Sequence, residues 1–138
     1  MSGLEVRVIG PDERDSGTAQ TPGLQRWSGV SSGLTGSSKM WMDHAVLESG
    51  GKTAVHHHGE SETAIFVISG VTRWCVGDRL DEVREARAGD FVFIPPDVVH
   101  WEQNASEVEP VHMVVARSTQ EAVVVSVEGH PHAPEHAR

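Results

Sequence analysis

The sequence predicts an all-β protein whose strands close into a barrel or a sandwich. Three observations carry this expectation. Short β-favouring runs recur at near-regular spacing, and turn residues punctuate them. No window sustains the roughly 10 to 12 residues of 3.6-residue periodicity that a helix requires. Many short strands are stable when closure removes their exposed edges.

Taken in order, residues 1–35 read as an N-terminal arm. One extended run at 6–9 precedes a stretch rich in Gly, Ser, Thr and Pro, which is loop chemistry. Leu24, Trp27 and Val30 give the arm something to bury, either on the barrel or on a second subunit. The barrel is expected over 36–127. Strand runs at 40–47, 64–68, 71–76, 91–94, 111–116 and 122–127 are separated by Ser49-Gly50-Gly51, Ser69-Gly70, Gly77-Asp78 and Pro95-Pro96-Asp97. Residues 80–88 alternate Leu80, Val83 and Ala86 with charges, as an edge strand or a loop would. Residues 128–138 hold two prolines, three histidines and few apolar side chains, and are expected to be a disordered tail.

At 138 residues the chain is long enough for one domain with a real core. Its formal net charge of -9 argues against nucleic acid or an anionic membrane surface as partner, since both call for basic patches. The single cysteine, Cys75, excludes an internal disulfide framework and fits a reducing compartment such as the cytoplasm; it reads as a small buried hydrophobe. No apolar run reaches the roughly 20 residues of a membrane span.

The chemistry concentrates in Val55-His56-His57-His58-Gly59-Glu60-Ser61-Glu62. In an extended segment side chains alternate, so His56 and His58 share one face and His57 takes the other. Gly59 lets the chain turn, and Glu62 then opens the next strand. Two imidazoles and a carboxylate converging over so short a loop suit a borderline divalent metal. Without one they are polar groups buried at a cost of about 2 kcal/mol or more each.

A second segment, Gly89-Asp90-Phe91-Val92-Phe93-Ile94-Pro95-Pro96-Asp97-Val98-Val99-His100-Trp101-Glu102-Gln103-Asn104, resembles one of the two signature motifs of the cupin superfamily. Gly89, Pro95, His100 and Asn104 stand at that motif's positions, and Asp97 stands where the family has a glycine. Asp tolerates a left-handed backbone better than most residues. The first segment resembles the companion motif through Gly50, His56, His58, Glu62 and Gly70. One departure concerns the carboxylate. Seven residues separate Glu62 from Gly70 where the family has six, and counting back from Gly70 lands on Thr63, a poor ligand. Glu62 is therefore the expected acid, with Glu60 as the alternative.

The resemblance covers residues 36–127 and implies the double-stranded β-helix of cupins, a jelly-roll barrel with an N-terminal arm. It implies one divalent transition metal per chain (Fe, Mn, Ni or Zn) on His56, His58, Glu62 and His100. Positions left open on such a metal distinguish a catalytic from a structural site. The expected function is a metal-dependent enzyme on a small organic substrate, of dioxygenase or Lewis-acid isomerase or lyase type. The alternative is a non-catalytic metal or small-ligand sensor module. Glu102 shares a face with His100 and is a candidate proton acceptor. Met40, Met42, His44, Phe66, Ile68, Trp101 and Met113 are candidates to line a pocket. A homodimer is also implied. His112 reads as a satisfied core or surface histidine, and the tail histidines, His130, His132 and His136, as solvated residues.

Overall fold

The structure, a computed structural model, describes residues 5–119 and 123–138. In chain order the strands are β1 (Gln25–Val30), β2 (Trp41–Leu47), β3 (His56–His57), β4 (Thr63–Ser69) and β5 (Val71–Val76). They continue with β6 (Glu82–Arg87), β7 (Phe91–Ile94), β8 (His100–Asn104), β9 (Val111–Arg117) and β10 (Val125–Ser126). A one-turn helix, α1 (Ser32–Thr35), joins β1 to β2. The strands form two five-stranded sheets, ordered β1-β2-β9-β4-β7 and β10-β3-β8-β5-β6, and every pairing is antiparallel. This is a jelly-roll sandwich. Among the described residues no helix is long and apolar enough to cross a membrane.

Alternation along each strand decides what enters the space between the sheets. β9 sends Val111, Met113, Val115 and Arg117 inward, and β4 sends Thr63, Ile65 and Val67. With Trp41, Leu47 and Trp74 the apolar members form one buried cluster. The same parity carries polar groups inward: Arg26 on β1, Asp43 on β2, Thr72 on β5, and His100, Glu102 and Asn104 on β8 are all buried. The barrel thus has an apolar filling and a polar one.

Expected and observed strands agree closely over 41–47, 63–69, 71–76, 91–94 and 111–117. The edge reading of 80–88 resolves as β6, which among the described residues pairs only with β5. Of the run expected at 122–127, Ala122 lies outside the described residues, and only Val125–Ser126 is strand.

Two expectations for the ends of the chain are corrected. Residues 6–9 form no strand, and Val6 and Val8 are almost wholly exposed. The arm's real strand is β1, which completes the first sheet against β2. Its register slips between Ser28 and Val30, where Gly29 interrupts the β-favouring pattern and hides the strand from a propensity reading. Gly23 seats the arm on the barrel. Its φ is +93°, and a Cβ there would lie 2.1 Å from the Lys52 carbonyl oxygen, so no larger residue fits.

The C-terminal segment does not hang free. Ala133 is buried with Val55 and Leu80, and Trp101, Val127 and Ala137 pack on that cluster. His136 Nε2 donates to the Thr53 carbonyl at 2.8 Å, and its ring meets Trp101 edge-on. A handful of apolar residues among polar ones suffices to dock a short tail onto a sheet face that would otherwise be exposed.

Candidate metal centre

The first histidine segment is held on β8 before the histidines begin. Thr53 N–H donates to the Glu102 carbonyl at 2.9 Å, and Glu102 N–H donates back to Thr53 Oγ1 at 2.9 Å. Two residues after this clamp comes Val55, and the next, His56, stands opposite His100 in the β3–β8 register. Alternation buries His56 and His58 and leaves His57 half-buried. Asp97, in the place of the family glycine, adopts φ of 61°. Its N–H donates to the Gly59 carbonyl at 2.8 Å, which ties the turn before His100 to the turn after His58.

The three rings converge. Their centroids are 4.9 Å apart for His56 and His58, 4.4 Å for His56 and His100, and 5.2 Å for His58 and His100. One nitrogen from each falls within 4.8 Å of the other two. The opposite nitrogens are all engaged: Nδ1 of His56, His58 and His100 bonds to the carbonyls of Ala54, Val123 and Val98 at 2.8, 2.7 and 2.9 Å. A carbonyl only accepts, so each Nδ1 carries the proton and each Nε2 presents a lone pair. His56 Nε2 is buried without a partner among the described residues.

Burial keeps all three rings neutral. It lowers His56 to about 3 and His100 to about 4, and it lowers His58 further still, with the Arg117 guanidinium adding to the effect. Neutral, tautomer-fixed, convergent imidazoles fit a divalent transition metal.

Glu102, Arg26, Arg117 and Trp74 line the same cavity as His58 and His100. Arg26 NH1 pairs with Asp43 Oδ2 at 3.0 Å, with both side chains buried. Arg117 Nε donates to Thr63 Oγ1 at 3.2 Å, its NH2 approaches His58 Nε2 at 3.4 Å, and its Cζ lies 5.0 Å from the Trp41 ring centroid. Burial raises Glu102 to about 7, against the opposing pull of Arg26 and the Thr72 hydroxyl. The void among these groups is about 10 Å³, room for a single water.

The expected carboxylate does not join the cluster. Glu62 is exposed, Glu60 is exposed too, and the buried residue at the start of β4 is Thr63. Strand parity explains this. β4 is anchored at Gly70, whose φ is +90°, and counting back from that turn puts Thr63, Ile65 and Val67 inward and Glu62 outward. The family spacing measured from Gly70 therefore gives the inward position, and a hydroxyl occupies it. Replacing Glu62 with Gln is expected to leave metal stoichiometry unchanged, as measured by elemental analysis of protein purified without a tag. Loss of metal in that variant would return Glu62 to the ligand set.

The sequence profile of the cupin domain matches residues 43–128, well over half of the chain. The chain belongs to the cupin family. No curated protein matches this cupin. Its fold is similar to that of oxalate decarboxylase from Bacillus subtilis, with a TM-score of 0.66 at 21% identity over 78% of this chain and 28% of that one. It is also similar to an oxalate oxidase, with a TM-score of 0.65 at 20% identity over 79% of this chain and 57% of that one. Another structure of the Bacillus subtilis enzyme, studied for the Mn(II) centres it contains, gives a TM-score of 0.67 at 20% identity over 80% of this chain and 29% of that one. The cupin spans less than two thirds of each of these proteins, and at such identity the likeness is one of fold.

Among the residues expected to line a pocket, Met113 alone lines the cavity beside the histidines. Met40, Met42, Phe66 and Ile68 are exposed. His44 lies outside as well, between Trp27 and His112, accepting from Arg14 at Nδ1 and facing His112 Nδ1 at 3.0 Å. Trp101 faces the C-terminal segment. Met40 precedes β2, and each of the others sits on the outward parity of its strand. Arg117 and Arg26 are the functional candidates that the sequence reading passed over. Arg117 had a signal, because it continues the inward period of Val111, Met113 and Val115.

Proposed function

We propose that this cupin is a metal-dependent enzyme acting on a small organic molecule, with one divalent transition metal on His56, His58 and His100. The observation that carries the reading is the convergence of three Nε2 lone pairs within 4.8 Å, each fixed by a backbone carbonyl on the far side of its ring. Fe, Mn, Ni and Zn all accept imidazole; Mn gains weight from the Mn(II) centres of the similar oxalate decarboxylase. When bound, such a metal supplies Lewis acidity and, for all but Zn, one-electron chemistry of the dioxygenase type. The chain's own part is to exclude water with Leu24, Ile65, Ile94 and Met113, and to hold a proton on Glu102 near neutral pH.

The test is elemental analysis of untagged protein, followed by oxygen uptake against a panel of diketones, phenols, thiols and small carboxylic acids. The dioxygenase reading expects uptake that tracks bound iron, manganese, nickel or copper. Bound zinc with turnover but no uptake moves the reaction to the isomerase or lyase class. A void of only about 10 Å³ favours a second reading, a metal or small-ligand sensor without turnover. Stoichiometric metal with no consumption of any panel compound selects it.

Two further properties belong to the proposal. The lone buried Cys75 suits a reducing compartment, the cytoplasm. The outward face of the first sheet carries Met42 on β2, Phe66 on β4 and Phe91 and Phe93 on β7, all exposed, and apolar residues on one sheet face suit a second copy of the chain. Light scattering is expected to report twice the chain mass, and Phe66→Glu is expected to halve it. A wild-type monomer at micromolar concentration would exclude the dimer.

A further inference from the structure

The geometry points to a compact carboxylate as the missing acid of the site, bound to the metal through one oxygen and gripped by Arg117 through the other. This inference rests on the metal reading above and adds the class of ligand.

The argument starts from charge. Three neutral imidazoles do nothing to offset a dication, and the inward position on β4 that faces the site holds Thr63 rather than a carboxylate. Arg26 and Asp43 cancel each other at 3.0 Å. The metal and Arg117 then bring three positive charges into one buried cavity, against which Glu102 can set at most one. A buried excess of this size is relieved by an anion.

The placement of Arg117 says where that anion goes. Its side chain is 3% exposed. Nε is committed to Thr63, and NH2 stands 3.4 Å from the same His58 nitrogen that faces the other two rings. NH1 is buried with no hydrogen-bond partner among the described residues. A guanidinium N–H left orphaned in a dry site is costly, and stacking on Trp41 at 5.0 Å holds the plane in place. Whatever binds at the point shared by the three Nε2 atoms lies within the guanidinium's reach. A planar carboxylate matches the fork geometry, and a void with room for little more than a water disfavours phosphate or a bulky acid.

The test uses the full chain loaded with Co(II), whose visible spectrum reports on its coordination sphere. Formate and acetate are titrated at constant ionic strength, with formamide and methanol as neutral controls of similar size. Wild-type protein is expected to show a saturable spectral change with formate and none with formamide. Arg117→Gln is expected to keep one Co(II) per chain while binding formate at least about tenfold more weakly, and Arg117→Lys to recover part of the loss.

An unchanged spectrum on adding formate, or equal formate affinity in Arg117→Gln, overturns the inference. If Arg117→Gln fails to fold, the comparison of formate with formamide on the wild type decides alone. Wild-type protein that takes up no stoichiometric Co(II) removes the metal reading itself, an outcome distinct from a loaded site indifferent to anions.

Discussion

Replacing His100 with alanine is expected to abolish most of the thermal stabilisation that a saturating divalent metal confers on the wild-type protein. A ligand that binds only the folded state stabilises it by about 4 kcal/mol when present at roughly a thousand times its Kd. For a chain of this length that corresponds to a rise in Tm of roughly 10 to 15 °C. His100 supplies one of three Nε2 donors, from a ring that is 1% exposed and fixed by the Val98 carbonyl. Even loss of an outer partner of a metal-bound histidine weakens binding by about 10- to 100-fold, so loss of a donor itself is expected to exceed 100-fold. At the same metal concentration the stabilisation then falls below about 1.4 kcal/mol, a few degrees at most. His57→Ala is the control. His57 lies in the same run but turns away, its Nδ1 accepting from the Gly59 N–H at 3.0 Å, and its variant is expected to keep the full shift. Differential scanning calorimetry with and without metal reads all three proteins. An undiminished shift in His100→Ala would remove residue 100 from the site.

The contrast between His57 and its neighbours was legible because imidazoles at alternate positions are visible in any extended segment. The turn at Asp97 was legible for a similar reason: its spacing to His100 and Asn104 is a covalent fact, and its left-handed φ of 61° is what a glycine position demands. Parity elsewhere was not. β4 reads Thr-Ala-Ile-Phe-Val-Ile-Ser, apolar on both faces, with burial alternating from Thr63 outward to Ala64 and inward again to Ile65. Hydrophobicity cannot say which face of such a strand is the inner one, and a one-residue change of parity moves every side chain across the sheet. Glu62, Phe66 and Ile68 were all misplaced by that single ambiguity, and Met42 and His44 on β2 by its counterpart. β1 was hidden by Ser28-Gly29, and the docked tail by its composition. In both segments the stabilising contacts are long-range ones, which local propensity does not register.

Metal-free protein is expected to be most stable above about pH 7.5, to hold that stability to about pH 8, and to lose it steeply on acidification. The three site histidines have folded pKa values depressed by burial, His56 to about 3, His100 to about 4 and His58 lower still, whereas the unfolded chain protonates them near 6.5. As pH falls below 6.5 the unfolded state gains protons that the folded state refuses, so stability falls with pH. Glu102 acts oppositely. Burial raises it to about 7, so between about 4.5 and 7 the folded state holds a proton that the unfolded state has released. That contribution is present at low pH and is lost as pH rises through 7. Near pH 5 the unfolded state therefore binds about two protons more, three from the histidines less one on Glu102, which corresponds to a slope of roughly 2.7 kcal/mol per pH unit. Against a total stability of about 5 to 15 kcal/mol, two pH units of such a slope remove at least about a third of it. Urea denaturation of protein dialysed against chelator, at half-unit steps from pH 8 to pH 4.5, measures the curve. Glu102→Gln removes the opposing branch. Its acid slope is expected to steepen to roughly 4 kcal/mol per pH unit. A flat profile between pH 6.5 and 5 in the wild type would mean that the three rings are solvated rather than enclosed, and the metal centre would lose its physical basis.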